Sequence, residues 1–229
     1  MNRADIITIV RAKIDEINPD AQANVQLGSV FGIIETILEE SANTLLMKVP
    51  LHKQSTYQFS DFTDQYPPFF GPITQDWGFF DLPDDYLRLS YFKMIEWQVP
   101  VTDAISEENP LYRQQFNKFL KGKPYNPVCA IGYPTKPGSL SSKRRLMYFS
   151  MPGGNHRIEV GRYIKRIMRP DEIPSPNPKN YKDITSLPNN LIEPLTWQAA
   201  GDVLVAMLKG DLANLAYAKA QEFINTNTR

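Results

Sequence analysis

Two histidines and a single cysteine are the side chains of this chain best suited to nucleophilic or metal chemistry. His52 follows a predicted helix, where the helix C-terminal dipole favours it, and His156 sits beside a glycine-bearing turn. Neither stands at helical spacing from another ligand-type residue, so no metal motif forms. Cys129 alone excludes an internal disulfide and a cysteine-based zinc site, which suits a reducing compartment. Asp84 with Asp85, and Asp61 with Asp64, are paired carboxylates, yet no histidine or basic partner stands beside either pair, and aspartate is an ordinary turn and cap residue. The run Met151-Pro152-Gly153-Gly154-Asn155 has the glycines of an anion-cradling nest, but the same glycines supply the positive φ of a hairpin turn. Signatures of phosphate-binding loops, dinucleotide-binding turns and nucleophile elbows are absent. No catalytic residue, cofactor site or metal site is expected, and no enzymatic role.

Charge is the remaining chemistry. Lys143, Arg144, Arg145, Arg157, Arg162, Lys165, Arg166 and Arg169 concentrate in the third quarter. Glu35, Glu39, Glu40, Asp61, Asp64, Asp76, Asp81 and Asp84 make the region before Asp85 acidic. A formal net charge of +0 therefore hides opposed patches. These are solvated strand faces, surfaces for head-to-tail pairing between subunits, or the lining of a lumen that lets DNA pass. A free protein held to nucleic acid by bulk charge is not indicated, because phosphate binding needs a concentrated basic surface.

Elements must position these residues. Ile6, Ile7, Val10, Ile14 and Ile17 recur at helical spacing, and the pattern stops at Asn18-Pro19. A second helix starts near Val30, carries Ile33, Ile34, Ile37, Leu38, Ala42, Leu45, Leu46 and Val49, and stops at Pro50. Its stripe is too wide for one partner, so the C-terminal helices are expected to cover it. Over residues 51–80 periodicity fails while aromatics accumulate, including Phe69, Phe70, Trp77, Phe79 and Phe80. Such a segment anchors loops and short strands, stacks a ligand, or serves an oligomer interface. Leu82-Pro83-Asp84-Asp85 is a turn, and Tyr86 opens a strand running to Trp97, apolar on both faces and so expecting cover on both.

Asn109-Pro110 opens a helix predicted over residues 111–120, with Gly122-Lys123-Pro124 as its end. Residues 128–131 read as a strand, and residues 146–151 with 158–160 as a hairpin. A proline-punctuated connector spans 169–188. Asn189 or Asn190 then caps a helix carrying Leu191, Leu195, Ala199, Val203, Met207 and Leu208. Gly210 interrupts or ends it, and Leu212, Leu215, Ala216, Phe223 and Ile224 continue the stripe, giving a helical hairpin or one kinked helix. The fold class is α+β: N-terminal helices (1–50) and C-terminal helices (189–229) make one bundle, and a β-rich region with loops (51–188), small and mainly antiparallel, is inserted between them.

With 229 residues, 42% hydrophobic and 22% charged, the chain has enough apolar content for a full core, and 19 prolines place many loops in its middle. The N-terminus lacks the apolar core of a secretory signal, so export by that route is not expected. No uncharged apolar run approaches the length of a membrane span.

Taken in order, several segments resemble the head-to-tail connector (adaptor or ring) proteins of short-tailed phages, especially those of the crAss-like phages of gut Bacteroidales. They are Leu45-Leu46-Met47-Lys48-Val49-Pro50-Leu51-His52, Leu82-Pro83-Asp84-Asp85-Tyr86-Leu87-Arg88-Leu89, Trp97, Val101-Thr102-Asp103-Ala104-Ile105, Pro110-Leu111-Tyr112-Arg113-Gln114-Gln115, Pro127-Val128-Cys129-Ala130-Ile131 and the alanine-rich terminal helices. The resemblance spans most of the chain and rests on order and spacing. It implies a bundle built from both termini around a β-rich insertion, and a ring, commonly of twelve subunits, docked beneath the portal. It also implies a location in the virion at the head-tail interface after assembly in the host cytoplasm. Partners would be further copies of the chain, the portal, other tail or ring proteins, and genomic DNA passing through the lumen without sequence-specific binding; no membrane is involved. Phe69, Phe70, Trp77, Arg162 and Arg166 are the expected intersubunit or partner contacts. The alternative is a small-molecule or nucleic-acid-binding domain whose pocket is formed by the aromatic segment.

Overall fold

Residues 1–19, 27–54, 59–61, 69–70, 77–134, 143–149, 157–173 and 182–226 are described by the structure, a computed structural model. The fold is α+β, and the chain divides into two units: Met1–Gln58 with Arg166–Arg229, and Phe59–Lys165 between them.

The helical unit begins with α1 (Arg3–Ile17), started by a capping box in which Asn2 accepts from the Asp5 amide and Asp5 from the Asn2 amide. The helical spacing of Ile6, Ile7, Val10 and Ile14 becomes its buried face. Next, α2 (Leu27–Lys48) buries Val30, Ile34, Leu38, Leu45 and Leu46. Gln54 closes its end by donating to the carbonyls of Leu46 and Val49 at 3.0 Å each. Two further helices come from the far end of the chain, α4 (Asn189–Ala206) and α5 (Gly210–Thr226). Against α4 pack α1, α2 and α5, as the wide α2 stripe requires. Residues 194–201 of α4 are buried on every side, the mark of a central helix rather than a one-faced one.

Three local expectations are corrected here. The α4 N-cap is Pro188 rather than an asparagine, and it makes no side-chain cap bond; Asn190 instead donates to the Lys53 carbonyl at 3.3 Å. Leu208 is 93% exposed rather than buried. It holds φ 59°, while the amide of Lys209 bonds the Leu204 carbonyl and that of Leu208 the Val205 carbonyl, a Schellman closure usually given to glycine. That stop turns the chain into a hairpin, with α5 packed back on α4. Finally, α5 buries Ala213, Ala216, Ala220 and Ile224 and leaves Leu215 exposed, because small residues allow two helices to approach closely.

Among its described residues the inserted unit holds two sheets. One has the order β1 (Phe59–Asp61), β8 (Ile158–Lys165), β4 (Tyr86–Met94) and is antiparallel. The other runs β2 (Phe69–Phe70), β3 (Trp77–Asp81), β7 (Arg145–Phe149), β6 (Cys129–Gly132), β5 (Ile105–Ser106), and only its last pair is parallel. Tyr86, Leu89, Phe92 and Met94 of β4 meet Phe80, Cys129, Leu146 and Tyr148 of the larger sheet in one buried cluster. Across that sheet Phe79, Ala130, Met147 and Phe149 form a second cluster, against which Tyr112 of the short helix α3 (Pro110–Gln114) packs. Every residue of β7 is buried because it is covered on both faces.

The hairpin expected between residues 146–151 and 158–160 does not form: β7 pairs with β3 and β6, and β8 with β1 and β4. Each run is paired on both of its edges by strands other than its neighbour in sequence. The helix expected over 111–120 ends at Gln114. Gln115 is buried and spends its side chain on the Leu111 carbonyl and the Gly122 amide, and Asn117 accepts from the Phe119 amide, so side chains compete with the helical ladder.

Candidate functional site

The sulfur and imidazole groups come first. Cys129 lies on β6 with its thiol buried, and burial raises its pKa well above the ordinary value, which suppresses the nucleophilic thiolate. His52 is exposed in a single turn of 3₁₀ helix, Leu51–Lys53. His156 and the glycine turn lie outside the described residues, as do Asp64, Asp76 and the Asp61 side chain. Among the described residues, no group of three His, Cys, Asp or Glu side chains is placed to hold a metal. No helix among them is long and apolar enough to cross a membrane.

Of the two carboxylates of the turn, one is structural. Asp84 is exposed, whereas Asp85 is buried, accepting from the Tyr163 hydroxyl at 2.9 Å and pairing with Lys165 at 2.9 Å, which ties the turn to β8. Asp81 pairs with Arg145 at 2.6 Å. Arg145 is 1% exposed, lies over the Phe79 ring and also donates to the Pro134 carbonyl.

Thus the basic cluster of the sequence splits on folding. Arg145 and Lys165 are committed to the pairs just described. Arg166 pairs with Glu172 at 3.3 Å, and Arg169 donates to the Thr36 carbonyl at 2.8 Å. Lys143, Arg157 and Arg162 remain exposed, as does Arg144, whose guanidinium lies 5.5 Å from the Tyr86 ring centroid. Of the five expected contact residues, Arg162 is exposed on β8, opposite Asp61 of β1 in the register. Arg166 is half-exposed, with its charge already answered by Glu172. Trp77 is half-buried at the edge of the second cluster, stacked on Phe79 at 5.8 Å and edge-on to Phe116 at 6.1 Å. Phe69 and Phe70 pair through their backbones with Phe79 and Gly78, and their side chains lie outside the described residues, with most of the aromatic segment.

One surface went unread in the sequence. Residues 110–126 expose Leu111, Phe116, Phe119, Leu120 and Tyr125, at 49%, 52%, 73%, 60% and 60%. Periodicity gave no warning: Tyr112, Phe116, Phe119 and Leu120 stand at i, i+4, i+7 and i+8, one face of a helix, so the count argued for burial there.

Four tyrosines define how the protein meets alkali. Burial raises the pKa of Tyr86 and Tyr148, and in the helical unit it raises that of Tyr217, helped by the hydrogen bond Tyr217 donates to Asp202 at 2.7 Å. Burial and the nearby Glu107 push Tyr112 up to about 12. Folding thus favours their neutral forms. Their contribution is fully present below the ordinary tyrosine value near 10 and is lost as pH rises through the raised values. Stability measured by denaturant should fall above about pH 10, and the phenolate absorbance of these tyrosines should appear together with unfolding. A titration complete in the folded state by about pH 10.5 would contradict this.

No protein-family model matches this chain. No curated protein matches it either.

Proposed function

We propose that this protein is a structural component of a virus particle, a head-to-tail adaptor of a short-tailed phage related to the crAss-like phages. It forms a ring beneath the portal, joins capsid to tail and leaves a lumen through which the genome passes; it is not an enzyme. The observation that carries the reading is the order of the fold. Helices from both ends of the chain share one unit and flank an inserted β unit, the architecture the resemblance implies. Assembly takes place in the host cytoplasm, and the partners are further copies, the portal, other tail or ring proteins and the passing DNA.

Negative-stain electron microscopy with light scattering tests this reading. Twelve copies of 26.2 kDa give a ring of about 314 kDa. A channel for a moving genome should hold DNA only weakly, and that attraction should vanish with salt. Arg162→Glu, unlike a change at Arg166, leaves the Glu172 pair intact and reports on the exposed β8 cation. It should weaken rings more than it weakens DNA binding. A species that stays monomeric at all concentrations, or wild-type protein that binds DNA tightly near physiological salt, would overturn the proposal.

A further inference from the structure

Residues 94–126 segregate charge. Glu96, Asp103, Glu107 and Glu108 occupy residues 94–112 with no Lys or Arg among them, and Arg113, Lys118, Lys121 and Lys123 occupy residues 113–126 with no Asp or Glu. Apolar side chains are exposed on both halves. Ile95, Val99 and Leu111 are 48%, 43% and 49% exposed on the acidic half; Phe116, Phe119, Leu120 and Tyr125 stand out on the basic half. Seven of the fourteen large apolar side chains exposed among the described residues fall in this one stretch. Isolated exposed apolar residues are ordinary, whereas such a concentration marks an interaction surface.

The basic half is also built to stay in place. Gln115 and Asn117 lock its turns, and Lys123 and Asn126 exchange backbone bonds at 3.1 and 2.8 Å. The Gln98 amide holds the Pro124 carbonyl at 2.8 Å. Gly122 packs so closely that a Cβ there would lie 2.8 Å from the Val128 nitrogen. Beneath, Phe116 lies edge-on to Trp77, Tyr112 and Phe149. A rigid loop loses little conformational freedom on docking.

We infer that this stretch is the docking surface for a second copy of the chain, the basic apolar loop of one copy meeting the acidic apolar segment of the next. Two basic loops facing each other would repel, so the contact joins unlike halves. Each copy carries both, which makes the chain its own complement. This deepens the ring reading by naming the surface that joins subunits, and it holds whether the contact closes as a ring or as a reciprocal dimer.

The test compares four proteins by sedimentation and light scattering, with circular dichroism to check folding. Wild type should associate. Phe119→Ser with Leu120→Ser should lower association at least about tenfold with an unchanged spectrum, because both side chains already face solvent. Lys118→Glu with Lys121→Glu, and Asp103→Asn with Glu108→Lys, should each be monomeric alone and associate when mixed, since the intact acidic segment of the first can still meet the intact basic loop of the second. Closed dimers that obey this mixing rule would uphold the inference and defeat the ring reading. Rings indifferent to all these substitutions would defeat the inference and leave the ring reading standing. A monomeric wild type, or a mixture that fails to associate, overturns it. So would a monomer that binds phosphatidylserine vesicles or a short DNA duplex through Phe119.

Discussion

Replacement of Leu45 by alanine is expected to destabilise the helical unit by about 2–5 kcal/mol. Leu45 is 0% exposed on α2, the helix that shares its apolar face with α1 and α4. The loss combines transfer of the side chain with the cavity left among helices that cannot collapse around it. Met47→Ala on the same helix is the comparison, since Met47 is 50% exposed and should change stability by no more than about 0.5 kcal/mol. Denaturant midpoints at equal slope measure both. A Leu45→Ala loss no larger than that of Met47→Ala would remove the stripe from the core.

A larger penalty for its size of change is expected from Asp81→Asn in the inserted unit. The substitution is nearly isosteric, but it leaves the guanidinium of Arg145 without its carboxylate. The side chains of Arg145 and Asp81 are 2% and 29% exposed, so the arginine has far less water to turn to. Breaking a buried pair in this way costs about 3–5 kcal/mol. Arg145→Met should be milder for the opposite reason, because Asp81 keeps access to solvent. Combining Arg145→Met with Asp81→Leu should recover much of the loss, since it removes both charges together. Equal stability of Asp81→Asn and wild type, by urea denaturation, would show that the pair contributes nothing.

Helical periodicity was legible wherever one stripe decides burial, as at Ile6, Val10 and Ile14, because a face of isoleucines has only one place to go. On α5 the same reasoning chose Leu215 over Ala213 and Ala220, since hydropathy ranks leucine above alanine while close helix packing reverses the order. The helix over 111–120 failed at Gln115 and Asn117, whose side chains take over backbone bonds that a periodicity count assigns to the ladder. Arg145 and Lys165 were read as members of a surface cluster because their carboxylates, Asp81 and Asp85, stand far away in sequence. Pairing across a sheet is a tertiary fact. For the same reason the strands were found while the hairpin was not: composition marks β7 and β8, but register is settled only when all candidate partners are present.

The helical unit is split by the insertion, and this bears on how the chain is made. On the ribosome α1 and α2 emerge first, and α4 and α5, which complete their packing, only after the whole of Phe59–Lys165. The inserted unit is itself unfinished until its last strand, β8, has been translated, since β1 and β4 both pair with it. Through that interval α1 is, among the described helices of the bundle, the only cover for the wide apolar face of α2. The nascent chain is most exposed to aggregation during synthesis of its middle, and slowing elongation there should lower the yield of folded protein more than slowing it over the final helices.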